Sequence, residues 1–233
     1  MRTNDLEILH SPSQWRKIPA EQLGVSACAV IDVIRATSTI AAALANGAQG
    51  VQPVARIEDA FALKDLYPES LLAGERGGQA LPGFDLGNSP EDFTPERVKG
   101  RPVILTTTNG TQALAACVGA RAVVTASLLQ VSAVAARLRE LGPPWIIVCA
   151  GCNGEFGVDD AVVAGALAEA MGQDHAFVHL YRSVRNELAQ TLLASSAGQE
   201  LVKVGLERDI PFCAKLDLYS VVPTLDGEGV LRT

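Results

Sequence analysis

The sequence predicts a single α/β domain of three layers, with helices on both faces of a largely parallel or mixed sheet. Short apolar runs of strand length, at 28–31, 51–54, 71–73, 103–105, 123–124 and 145–149, alternate with segments whose apolar residues recur at helical spacing. Apolar residues make up 48% of the 233 and aromatics only 5%, with Ala, Val and Leu dominant, as close helix-on-sheet packing requires. No stretch is rich enough in Pro, Ser or Gly to divide the chain, so residues 1–233 read as one domain.

Residues 6–9 read as a short edge strand, and the polar stretch behind them, with Trp15 and Pro19, as a surface wrap. The strand at 28–31 ends on Asp32, and Thr37, Ser38 and Thr39 stand near the start of a helix that continues through 40–45 to Asn46-Gly47. A strand at 51–54 follows. Ile57, Ala60, Phe61, Leu63 and Leu66 then mark a helix that Pro68 stops. The strand at 71–73 leads into a Gly-rich segment, 74–90, that reads as a loop.

After Pro95 the pattern repeats: strand 103–105, turn 106–110, helix 111–118, strand 123–124. Thr39 and Thr111, Ala41 and Ala113, and Gly47-Ala48 and Gly119-Ala120 match at one constant offset, a weak internal duplication. Helix 131–141, strand 145–149, a turn at 151–157 and a helix at 159–171 with acidic residues in its first turn complete the alternation. Beyond Gly172 the chain turns helical, with amphipathic segments at 183–193 and 198–205, and 225–233 forms a last short strand or a tail.

The net charge of −7 argues against a nucleic-acid or anionic-membrane surface. Apolar runs are too short to span a bilayer, and no apolar leader follows Met1-Arg2-Thr3-Asn4-Asp5, so a cytoplasmic protein is expected. Five cysteines, an odd number, suit buried thiols better than a disulfide framework; Cys149 and Cys152 form a C-x-x-C pair with no second pair to complete a zinc site.

In open α/β sheets ligands bind beyond the carboxyl ends of the strands. Four polar turns, at 32–39, 74–88, 106–111 and 151–160, are therefore expected to converge at one sheet edge. Asp32 closes a strand just before Arg35, Thr37 and Thr39, where a carboxylate can ligate a hard cation and a helix start can take an anion. The plainer alternative is that Asp32 and Arg35 pair and Thr37 caps the helix. The 74–90 segment carries Glu75, Arg76, Asp85, Asn88 and Ser89 among five glycines. Thr108, Asn109, Gly110 and Thr111 form a hydroxyl-rich turn suited to oxyanions.

Glu155, Asp159 and Asp160 open the helix after strand 145–149. With Asp32, Glu75 and Asp85 they make an oxygen-only donor set that suits Mg²⁺ rather than zinc or copper. There is no G-x-x-x-x-G-K-[ST], no D-x-D phosphatase nucleophile motif, no G-x-S-x-G and no strand-linked G-x-G-x-x-G, so nucleotide binding has no support.

The runs Val30-Ile31-Asp32-Val33-Ile34-Arg35-Ala36-Thr37-Ser38-Thr39, Ala73-Gly74-Glu75-Arg76-Gly77-Gly78 and Gly83-Phe84-Asp85-Leu86-Gly87-Asn88-Ser89-Pro90, with residues 106–111, Cys149-Ala150-Gly151 and Asp160, resemble the 2-phosphosulfolactate phosphatase (ComB-like) family. The likeness covers nearly the whole chain and implies a Mg²⁺-dependent phosphatase that converts 2-phospho-3-sulfolactate to 3-sulfolactate and phosphate, a step of coenzyme M biosynthesis. On this reading Asp32, Glu75, Asp160 and Asp85 or Glu155 hold Mg²⁺. Arg35 and Arg76 grip the anionic groups of a small phosphorylated or sulfonated acid. Asn88, Asn109 and Thr111 orient it, with Thr37, Thr39, Ser89, Thr108 and Gly110 around it. Asp32 is a candidate nucleophile, base or metal ligand. The rival readings are a non-catalytic binder of small sulfonates or phosphates and a two-cysteine isomerase. A homodimer is expected on base rate alone.

Overall fold

The computed structural model describes residues 5–233; residues 1–4, at the start of the segment read above as carrying no apolar leader, lie outside them. The chain forms, in order, β1 (Leu6–Leu9), α1 (Pro12–Trp15), α2 (Ala20–Val25), β2 (Ala27–Ile31), α3 (Ala36–Ala45), β3 (Gly50–Pro53), α4 (Ile57–Leu66), β4 (Leu71–Arg76) and β5 (Gln79–Ala80). Then come α5 (Pro95–Val98), β6 (Pro102–Thr106), α6 (Gly110–Ala116), β7 (Ala122–Ala126), α7 (Val131–Leu141), β8 (Trp145–Cys149) and α8 (Val158–Ala170). The last part is α9 (Ala176–Val184), α10 (Leu188–Ala194), α11 (Ser196–Lys203), α12 (Asp209–Cys213), β9 (Thr224–Leu225) and β10 (Leu231–Arg232).

The sheet has ten strands in the order β1-β8-β2-β7-β9-β10-β3-β6-β4-β5. Strand β2 shows why the central strands read as continuous apolar runs. Ala27, Ala29 and Ile31 join the core under α7 and α8, while Cys28 and Val30 join the opposite core with Ile40 of α3 and Leu114 of α6. Both sheet faces are thus covered, as expected for three layers. Where α8 crosses α9, Gly165 has no room for a side chain, because a Cβ there would overlap the Phe177 carbonyl. Gly165→Ala is expected to cost about 1–3 kcal/mol, read as a lower urea midpoint.

The sheet departs from the expected single edge. Strands β1, β8, β2 and β7 are mutually parallel, and so are β3, β6 and β4. Between the two groups lie three successive antiparallel pairings, β7 with β9, β9 with β10 and β10 with β3. The two half-sheets therefore run in opposite directions. Their carboxyl ends nonetheless meet, since Gly110 after β6 touches Asp32 after β2, so the site lies between two facing edges. The terminal segment expected as a strand or tail is the β9–β10 hairpin that joins the halves.

Two other elements differ from expectation. Trp15 is buried, its indole N–H donating to the Cys149 carbonyl at 3.0 Å, so the segment behind β1 is pinned to the core and not wrapped over the surface. The helix expected at 183–193 is two helices, α9 and α10, broken at 185–187. No helix among the described residues is long and apolar enough to cross a membrane.

Candidate active site

Asp32 lies just past β2, against the starts of two helices. Its Oδ1 accepts the Ala36 N–H at 3.4 Å, while Thr37 Oγ1 donates to the Asp32 carbonyl at 2.9 Å and accepts from its amide at 3.2 Å. Thr37 therefore holds the Asp32 backbone and does not face the cavity. Helix N-termini favour an anion, yet burial, then the nearby Glu75 and Asp159 carboxylates, push the Asp32 carboxyl up to about 7. Desolvation and like charge win. On the other side, a Cβ on Gly110 would stand 2.7 Å from Asp32 Oδ2 and 2.6 Å from the Ala36 Cβ. Gly110→Ala is expected to displace the carboxylate and lower kcat by roughly tenfold to a hundredfold, measured as phosphate release.

Glu75 is on strand β4, not in a loop: Gly77-Gly78 form the tip of a hairpin between β4 and β5. Its Oε1 accepts the Thr108 N–H at 2.7 Å, and its Oε2 accepts the Gly78 N–H at 2.8 Å and the Thr108 hydroxyl at 3.2 Å. Glu75 so ties the hairpin to the β6–α6 turn. Arg76, the next residue on the strand, points to the other face. It donates to the carbonyls of Glu75 (2.7 Å) and Ala55 (3.2 Å) and to Thr106 Oγ1 (2.9 Å), a brace in place of the expected anion clamp.

Asp85 is likewise not brought to the site. Its Oδ2 accepts the Leu72 N–H at 2.8 Å and lies 3.9 Å from Lys64 Nζ, which folds the 83–90 segment back on β4. That fold delivers Asn88 and Ser89. The Thr39 hydroxyl donates to the Asn88 carbonyl at 2.9 Å, and Asn88 Oδ1 is buried without a partner among the described residues. Thr111 bonds its own turn, its hydroxyl donating to the Thr107 carbonyl at 2.9 Å.

In the first turn of α8, Asp160 accepts the Val33 N–H at 3.0 Å and the Gly151 N–H at 2.9 Å, stapling the turns after β2 and β8 together. Burial, then Asp159 and Asp32, push its carboxyl up. Glu155 is exposed and does not line the cavity. Asp159, counted in the donor set from the sequence but given no role of its own there, is buried, its carboxyl pushed up to about 6 by desolvation, and its Oδ1 has no partner among the described residues. Two adjacent acids in one helical turn signalled the pair, but not which of them was spoken for. Burial pushes the Cys152 thiol up to about 11 and the Cys149 thiol well above its usual range, so neither offers a thiolate nucleophile.

Asp32, Arg35, Glu75, Asn88, Thr108 and Asn109 line one cavity of about 100 Å³, with Glu200 and Leu201 of α11 on its far wall. Nothing in the sequence marked α11 as part of the site. Among the described residues no three His, Cys, Asp or Glu side chains form a ready metal cage. Mg²⁺ does not need one: it keeps several waters and takes one or two carboxylates plus phosphate oxygens. Asp32 and Glu75, both on the cavity wall, meet that requirement.

Known proteins resemble this chain over most of its length. The family model described as 2-phosphosulpholactate phosphatase matches residues 13–228. A protein of Symbiobacterium thermophilum named probable 2-phosphosulfolactate phosphatase is 42% identical, over 91% of this chain and 97% of its own. One of the same name from Synechococcus sp. (strain RCC307) is 41% identical over 97% and 98%, and one from Caldanaerobacter subterraneus is 40% identical over 88% and 89%.

Proposed function

The chain belongs to the 2-phosphosulpholactate phosphatase family, and from that premise we propose that it is a phosphoric monoester hydrolase releasing phosphate from 2-phosphosulfolactate, or a closely related phosphorylated 2-hydroxy acid, with Mg²⁺ as cofactor. One observation supports both substrate and cofactor: the charge of the cavity wall. Among the described residues Arg35 is the single cation there, against the acids Asp32, Glu75 and Glu200. A substrate bearing phosphate, sulfonate and carboxylate groups would be repelled unless a divalent cation entered with it.

Asp32 and Glu75 would hold Mg²⁺, which supplies the positive charge that polarises the phosphoryl group. Arg35 takes an anionic group of the substrate. Asn88 offers a buried amide with spare hydrogen-bonding capacity, and Asn109, whose side chain makes no cap bond at the start of α6, offers a second. Asp32 lines the cavity, where its carboxylate could instead accept the proton of the attacking water. The five cysteines, all free and buried, suit a reducing cytoplasm, where we place a homodimer of the chain.

A phosphate-release screen over phosphorylated 2-hydroxy acids and sulfonates, with and without Mg²⁺, tests this reading. Mg²⁺-dependent release fastest from 2-phosphosulfolactate is expected. Tight binding of that compound with no release would instead make the protein a carrier of small anions.

A further inference from the structure

Arg35 is held where it is by a residue from far along the chain. Its Nη1 donates to Asp209 Oδ2 at 2.7 Å and to Ser89 Oγ at 3.3 Å, and its Nη2 donates to the Gly78 carbonyl at 2.6 Å. A guanidinium has five N–H donors; these bonds leave Nε–H and one Nη2–H without a partner among the described residues. Asp209, the first residue of α12, also accepts the Ser89 hydroxyl at 2.8 Å on the same Oδ2. The two side chains of the ion pair are 2% and 1% exposed.

Stability does not account for this pair. Two charges taken fully out of water rarely recover their desolvation in mutual attraction, and here Asp209 Oδ1 is buried with no hydrogen-bond partner among the described residues, Arg208 Nε standing 4.0 Å away. Position accounts for it better. Arg35 lines the same small cavity as Asp32 and Glu75. Without a counter-charge behind it, the guanidinium would turn to those carboxylates and occupy the space that the substrate needs.

We propose that Asp209 is a positioning residue of the reaction: with Ser89 and the Gly78 carbonyl it holds the Arg35 guanidinium off Asp32 and Glu75 and leaves two of its N–H donors for an anionic group of the substrate. The assignment rests on the phosphatase reading above. It also gives the α12 segment, which supplies none of the cavity wall, a part in substrate binding.

A double-mutant cycle on Asp209→Asn and Arg35→Lys tests it, with KM, kcat, the affinity for 3-sulfolactate by calorimetry, and Tm read for each protein. Asp209→Asn is expected to raise KM and weaken sulfolactate binding by roughly tenfold to a hundredfold, with a smaller change in kcat. In the Arg35→Lys background the same substitution should change both by less than about threefold, because the group it positions is gone. Equal factors in the two backgrounds, or a lower Tm with KM and affinity unchanged, would overturn the proposal. If Asp209→Asn does not fold, Ser89→Ala, which removes one donor from Asp209 Oδ2, is read the same way with a smaller shift. A wild-type chain that binds sulfolactate but releases no phosphate would remove the phosphatase reading alone, since the affinity cycle still decides the role of Asp209. One that does neither overturns both.

Discussion

Asp32→Asn is expected to lower phosphate release by roughly 10²–10⁴-fold while making the metal-free protein more stable at pH 8. The loss follows from the place of Asp32 on the cavity wall, between the starts of α3 and α6, where a neutral amide holds Mg²⁺ more weakly than a carboxylate and does not accept a proton. The gain follows from linkage. In the unfolded chain the carboxyl titrates near 3.8, and in the fold burial, Glu75 and Asp159 push it up to about 7. Between those values the folded chain binds the additional proton. The stability this contributes is full below about 3.8 and is lost as pH rises through about 7. Above that, the ionised group is a net cost on the order of a few kcal/mol, which Asn removes. Urea midpoints at pH 5 and pH 8 check this: wild type should be less stable at pH 8, and Asp32→Asn should show a shallower slope, the remainder coming from Asp159, pushed up to about 6, and from Asp160, which burial also pushes up. A full-activity Asp32→Asn protein, or one less stable than wild type at pH 8, would contradict the assignment.

Glu75→Gln is expected to lose activity too, by roughly a hundredfold or more, but with the opposite effect on stability. Both Glu75 oxygens accept backbone N–H groups, from Thr108 at 2.7 Å and Gly78 at 2.8 Å. Glutamine can accept only one of them and turns an N–H₂ toward the other. That leaves a partly buried donor unsatisfied, at about 1–3 kcal/mol, and loosens the hairpin that carries Gly78 to Arg35. Denaturation midpoints and phosphate release measured on the same preparations separate the two acids: one variant inactive and stabilised, the other inactive and destabilised. Equal destabilisation by both would mean that they share a structural role.

The fold was legible in the sequence where the signal was local. Continuous apolar runs bounded by turn residues located β2, β6 and β8, and helical spacing located α4 and α7. The Asp32 and Glu75 turns were found because strand ends in such folds gather polar residues. What escaped depends on contacts distant in sequence. The reversal between half-sheets is made by β9 and β10, two strands of two residues each, too short to show any period. Asp209 is a single acid in a short helix, and only the 2.7 Å contact to Arg35 distinguishes it. Arg76 escaped for a different reason: the glycines of 74–78 hide a strand that runs through Arg76, and its alternation turns Arg76 away from Glu75. Two consecutive glycines beyond an apolar run are also a hairpin signal. Asp85 and Glu155 had the right chemistry and the right neighbourhood, but side-chain direction decided against both.

The central claim is that the acids of the cavity serve a divalent cation that brings a phosphorylated sulfonic acid to Arg35. Its most direct test is phosphate release from 2-phosphosulfolactate by wild type and Asp32→Asn after chelation and again after Mg²⁺ is restored. The account predicts that chelation abolishes release, that Mg²⁺ recovers it in wild type, and that Asp32→Asn stays inactive throughout. Release that persists in the chelated wild-type protein, or that Mg²⁺ restores equally to Asp32→Asn, would contradict it.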